Sequence, residues 1–196
     1  MKKVSCNNGH EHQVVLQANL NDCGPTCLRM AYQRVKNVEP PSSLNFVYSI
    51  DLAPVGGIYT GTTCTGMRSM VKVAQSIGLK AEVKYHPEYA DLRRELVKAG
   101  SGDCKAIIVH VQWAKGGAHS VMIDKCDSAN DVLCVCDPGS EVVQRLPYDP
   151  FDPIGVFRYS CDYVNRGLTL KELAAGASRT VTNSGQFSGW ICIISS

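Results

Sequence analysis

Among ten cysteines in this chain of 196 residues, Cys23 stands apart because of what surrounds it, the segment Asn21-Asp22-Cys23-Gly24-Pro25. A thiol attacks as its thiolate, and a free cysteine with a pKa near ~8.5 is mostly protonated at neutral pH, so a nucleophilic cysteine needs a helix N-terminus or a cationic histidine beside it. The residues after Cys23 supply the first: Cys27, Leu28, Ala31, Tyr32 and Val35 recur at helical spacing, Pro25 suits a first turn, and Asn21 and Asp22 are capping residues. Gly24 leaves room for a substrate backbone to approach. The base has to come from His10, His12, His86, His110 or His119. His119 is the best placed, opening a strand after the flexible Lys115-Gly116-Gly117-Ala118 loop, whereas His110 lies inside an apolar run and reads as a core or edge-strand histidine. An imidazole that shuttles protons needs its second nitrogen held, and Asp137 answers this from the strand that pairs with that of His119. A hairpin turned near residues 128 to 130 brings positions 119 and 137 level; Asp124 and Asp127 lie too far round it to reach. The competing reading of Asp137 is an Asp-Pro turn former.

These side chains must be positioned by elements that the pattern also predicts. Residues 37 to 62, rich in Pro, Ser, Gly and Thr, read as a long loop. A second helix follows Thr62 or Thr63, with Met67, Met70, Val71, Ala74 and Ile77 as its apolar stripe and Gly78 as its stop. LKAEVKY alternates like a strand, residues 88 to 99 read as helix, and KAIIVHVQW as a buried strand. HSVMIDKC and VLCVCD make a hairpin, DPGS turns into VVQRL, residues 169 to 175 read as a helix, and GWICII is a strand. Helices first and an antiparallel sheet afterwards give an α+β domain with a helical half, a sheet half and a cleft between them.

The segment Gln17-Ala-Asn-Leu-Asn-Asp22-Cys23-Gly24-Pro25-Thr26-Cys27-Leu28-Arg29-Met30 closely resembles the nucleophile motif of the C39 cysteine peptidases, papain-like domains that trim double-glycine leaders from bacteriocins and related peptides. The resemblance continues more loosely through Gly61-Thr62 to Gly78, the strand from Ala118 to Ile123, and Asp137-Pro138. It implies a papain-like fold, a Cys23-His119-Asp137 triad, and Gln17, six positions before the nucleophile, donating to the oxyanion hole with the N–H of Cys23. It also implies a domain layout of an N-terminal extension over 1–13, a catalytic domain over 14–148, and a C-terminal extension over 149–196 packed on the same domain. Neither a membrane-spanning stretch nor a GxxxxGK[ST] phosphate loop accompanies it, so the chain reads as a free-standing domain.

The expected activity is therefore hydrolysis of a peptide bond. A secreted effector or toxin using the same triad as a deamidase is the first alternative, and an inactive papain-like binding module the second. A formal charge of +2 without any run of like charges argues against nucleic acid as a partner, and no run of roughly 18 apolar residues predicts a membrane span. The expected partner is a protein or peptide substrate, with an immunity protein added if the chain is a toxin. The start carries no apolar run of the signal-peptide kind, so the expected setting is the bacterial cytoplasm, or delivery without a cleavable signal. Irregular cysteine spacing argues against a disulfide scaffold. No cofactor is expected and no metal: Cys134 and Cys136 read as small strand hydrophobes, and Cys6, His10 and His12 as a terminus without a fourth ligand.

Overall fold

A computed structural model describes residues 2–5, 11–17, 23–40, 66–100, 105–127, 130–140, 143–148, 155–164 and 170–196. In chain order these hold β1 (Lys2–Ser5), β2 (Glu11–Val14), α1 (Cys23–Lys36), α2 (Met67–Ser76), β3 (Lys80–Tyr85), α3 (Tyr89–Gly100), β4 (Lys105–Trp113), β5 (Ala118–Asp127), β6 (Val132–Cys136), β7 (Val143–Pro147), β8 (Arg158–Val164), α4 (Leu170–Ala174) and β9 (Thr180–Ser195). The expected caps Asn21 and Asp22 and most of the expected loop over 37 to 62 lie outside the described residues.

An antiparallel sheet in the order β3-β9-β4-β5-β6-β7 forms the body, with β8 paired to β9 and a separate β1-β2 hairpin alongside. Because successive residues of a strand point to opposite faces, a strand covered on both sides reads as one apolar run, which is why KAIIVHVQW shows no alternation. Ala106 and Ile108 pack with Leu28, Met30, Met70 and Ala74 of α1 and α2, while Ile107, Val109 and Val111 pack with Leu92 and Leu96 of α3 and Tyr159 and Tyr163 of β8. The fold is thus α+β, with helices against an antiparallel sheet, as the order of elements in the sequence predicts.

Two elements differ from the sequence reading in ways that matter for the site. The strand containing GWICII is much longer than that segment: β9 runs for 16 residues between β3 and β4 in the interior of the sheet. The hairpin of β5 and β6 is also offset. Met122 pairs with Cys136, so the residue level with Asp137 would be Val121 rather than His119. A bulge between Ile123 and Lys125 leaves Asp124 out of the register. The Gly116-Gly117 pair, expected as a flexible loop, is the turn of the β4-β5 hairpin. Both glycines have φ near +90°, at 90° and 88°, and Trp113 N–H donates to the Gly117 carbonyl at 3.1 Å.

Candidate active site

Helix α1 starts at Cys23 itself, so the sulfur sits where the first N–H groups of a helix lack partners within it. Backbone N–H groups of Ser120 and Gly24 hydrogen-bond that sulfur, and so does the imidazole of His119. Burial alone would push the Cys23 thiol up, but the His119 hydrogen bond and then the imidazolium charge outweigh it, leaving the pKa below its ordinary value of 9.0. Four other described thiols move the opposite way under burial: Cys27 lies well above 9.0, and Cys136, Cys161 and Cys192 are pushed up to about 12. The Cys27 thiol instead donates to the Ser120 carbonyl at 3.3 Å, in the core.

His119 is 3% exposed, and its Nε2 lies 2.8 Å from Asp137 Oδ1, which leaves Nδ1 to face the sulfur. Burial opposes a charge on the ring, yet the Asp137 charge and hydrogen bond, followed by Cys23, raise the imidazole from 6.5 to about 9. Asp137 is fully buried; burial pushes its carboxyl up, and the His119 charge and the hydrogen bonds from His119, Tyr159 and Gly139 bring it below 3.8. Those bonds are short and divided between the two oxygens. Oδ1 accepts from His119 and from the Gly139 N–H at 2.6 Å, and Oδ2 accepts from the Tyr159 hydroxyl at 2.7 Å. The site therefore favours a thiolate beside an imidazolium, backed by a carboxylate held in one orientation.

Aromatic rings cover the His119 imidazole. Trp113 stacks on His119 with ring centroids 5.4 Å apart and 19° between planes, and Tyr163 meets the same imidazole edge-on at 6.0 Å. Excluding water strengthens each charge interaction inside. Gln17 is half-buried, and its backbone N–H donates to the Pro138 carbonyl at 2.7 Å, which ties the segment before α1 to the residue after Asp137.

His119 thus contacts both Cys23 and Asp137, although Asp137 reaches it from beyond the end of β6 rather than from a level position. His110 stays outside the group: its Nδ1 pairs with the Ser188 hydroxyl at 2.7 Å, and burial, followed by the charge of His119, lowers it below 6.5. Asp124 is engaged elsewhere, with His12 and Arg34. The residues that sequence reasoning missed are Trp113, Gly139, Tyr159 and Tyr163. For the tyrosines the signal was there. RYSCDYV alternates, and Tyr159, Cys161 and Tyr163 are the buried positions.

Comparison with solved structures gives a double glycine motif protease from an AMS/PCAT transporter, crystallised with its leader peptide, at a TM-score of 0.53 and 16% identity, covering 100% of this chain and 99% of that one. The chain has the fold of a double-glycine-motif protease. The match runs through β8 and β9 as well as the segment that carries the motif. The peptidase domain of Streptococcus mutans ComA aligns with a TM-score of 0.47 and 14% identity, over 94% of this chain and 100% of that one. No protein-family profile and no curated protein sequence matches the chain. Among the described residues no helix is long and apolar enough to cross a membrane.

Proposed function

We propose that this protein is a cysteine peptidase in which Cys23 attacks a peptide carbonyl, His119 carries the proton and Asp137 orients His119. The observation that supports this most is the opposite behaviour of the thiols: Cys23 is held below 9.0 by His119, while Cys27 and Cys192, buried without a histidine partner, are pushed above it. The Cys23 sulfur bonds to the carbonyl carbon, and the carbonyl electron pair moves to oxygen. His119 then gives its proton to the departing amine as the intermediate collapses to a thioester. Neutral His119 next takes a proton from water, whose oxygen attacks the thioester; the carboxyl product leaves and the thiolate-imidazolium pair is restored.

Negative charge on the carbonyl oxygen needs donors fixed in advance. The backbone N–H of Cys23 at the start of α1 and the side-chain amide of Gln17 take that role in this reading, supported by the tie between Gln17 and Pro138. Losing one such donor costs on the order of 3 kcal/mol in the barrier. The likeness of fold to a protease bound to its leader peptide supports a peptide as the substrate class.

The test is to mix the wild-type chain and Cys23→Ala separately with a bacterial proteome and compare peptide termini by mass spectrometry. New termini that appear with wild type alone carry the reading and reveal the cleavage sequence. Conversion of Gln to Glu or Asn to Asp without cleavage would replace the peptidase by a deamidase, and neither outcome would leave a binding module.

A further inference from the structure

Outside the catalytic group, His12 of β2, Asp124 from the β5 bulge and Cys136 at the end of β6 converge in the interior, with ligand atoms all within 4.8 Å of one another. All three are buried, at 1%, 6% and 0% exposure. Read as sequence, they fell into separate sets, Cys136 with its strand neighbours and His12 with a terminal Cys-His group. The fold draws one residue from each of three strands instead. Burying an imidazole, a carboxylate and a thiol together is unfavourable unless each finds a strong partner, and this donor set is the kind that borderline divalent metals bind.

We propose that His12, Asp124 and Cys136 bind a divalent transition-metal ion of the zinc class, with water as the fourth ligand. His12 Nδ1 lies 2.5 Å from Asp124 Oδ2, and a ligand atom of Cys136 lies within 4.8 Å of both residues' ligand atoms, so the three groups converge on one point. In a tetrahedral zinc site ligand atoms stand roughly 3.3–3.8 Å apart at ordinary bond lengths, a spacing these atoms reach by small side-chain movements. On binding, Cys136 releases its proton to solvent, and thiolate and carboxylate together neutralise the dication. The other carboxylate oxygen, Oδ1, pairs with Arg34 Nε at 2.8 Å, which is the outer partner that a ligating carboxylate needs. Asp124, alone of the three, also lines a cavity of about 170 Å³, with Gln13, Gln33, Arg34, Lys125 and two methionines around it. In the proposed site, water reaches the fourth position from the Asp124 side, where the cavity lies.

The site's place gives it a structural task. Cys136 immediately precedes Asp137, and His12 belongs to the β1-β2 hairpin, so one ion would clamp that hairpin to the strand end that carries the acid of the catalytic group. The test uses the full chain as Cys23→Ala, which removes the activated thiol as a competing chelator. After incubation with zinc chloride and desalting, metal content, melting temperature and zinc-edge X-ray absorption are measured, then repeated with His12→Ala or Cys136→Ser added. The expected result is about one retained equivalent, a raised melting temperature, and a shell of one sulfur with nitrogen and oxygen otherwise. Either added variant should lose the zinc. No retained zinc, or a shell with no sulfur or with several, overturns the site; the absorption measurement does so on the parent chain, even where an added variant fails to fold.

Discussion

At the scale of single residues the site is governed by which charges burial permits. Asp137 is ionised inside the protein because three donors share its two oxygens, and it passes that stabilisation to His119, which passes it to Cys23. The sign of the pH dependence follows. In the proposed mechanism turnover requires Cys23 deprotonated and His119 protonated, so the rate rises as pH passes the lowered Cys23 value, somewhere under 9.0, and falls as pH passes about 9. A kcat/KM profile on any cleaved peptide checks both limbs. Asp137→Asn keeps the shape and still offers Nε2 an accepting amide oxygen, but it removes the charge that raises His119, so turnover should fall and its alkaline limb should move to lower pH. Tyr159→Phe leaves Oδ2 without its hydroxyl donor in a dry site. A hydrogen bond to a charged group contributes about 1.5–3 kcal/mol, and urea unfolding should show a loss of that size.

At the scale of elements, the close packing of the Asp137 turn makes the next prediction. A Cβ placed on Gly139 would lie 2.2 Å from Tyr163 Cε1 and 3.0 Å from Asp137 Oδ1. Gly139→Ala should therefore destabilise by about 1–3 kcal/mol and slow turnover, because relieving the clash moves the carboxylate away from His119. Urea unfolding and a steady-state assay on the same preparation measure both effects. What the sequence revealed at this scale follows from its periodicity. Helix α1 was legible because its apolar residues recur at 3.6 spacing behind a Pro in the first turn, and β4 because its run is bounded and β-branched. The offset between His119 and Asp137 was not, since a bulge adds a residue without leaving a mark in the pattern, and a turn position can be counted only to within a residue or two. Tyr159 and Tyr163 were legible but unused: an alternating strand says which residues are buried, not which carboxylate they are buried against. The His12–Asp124–Cys136 group was illegible for the same reason, its members being brought together only by pairing between distant strands.

At the scale of the whole molecule the C-terminal segment is part of the core. β9 separates β3 from β4, and Ile191, Cys192, Ile193 and Ile194 are buried between the two helical layers. A chain ending at residue 179 would leave β3 and the long flank of β4 unpaired and expose both cores. Such a truncation should lose cooperative thermal unfolding and near-ultraviolet circular dichroism, rather than persist as a smaller active domain. The central claim, that this architecture exists to activate one thiol, is tested most directly by alkylating the folded chain with iodoacetamide over a range of pH and mapping the modified cysteines, in wild type and in His119→Ala. The account predicts that Cys23 reacts fastest in wild type, with an apparent pKa below 9.0, and that His119→Ala raises that pKa and slows the reaction at neutral pH, because burial then acts unopposed. Labelling of Cys23 no faster than of the other cysteines, or a Cys23 rate indifferent to the loss of His119, would contradict it.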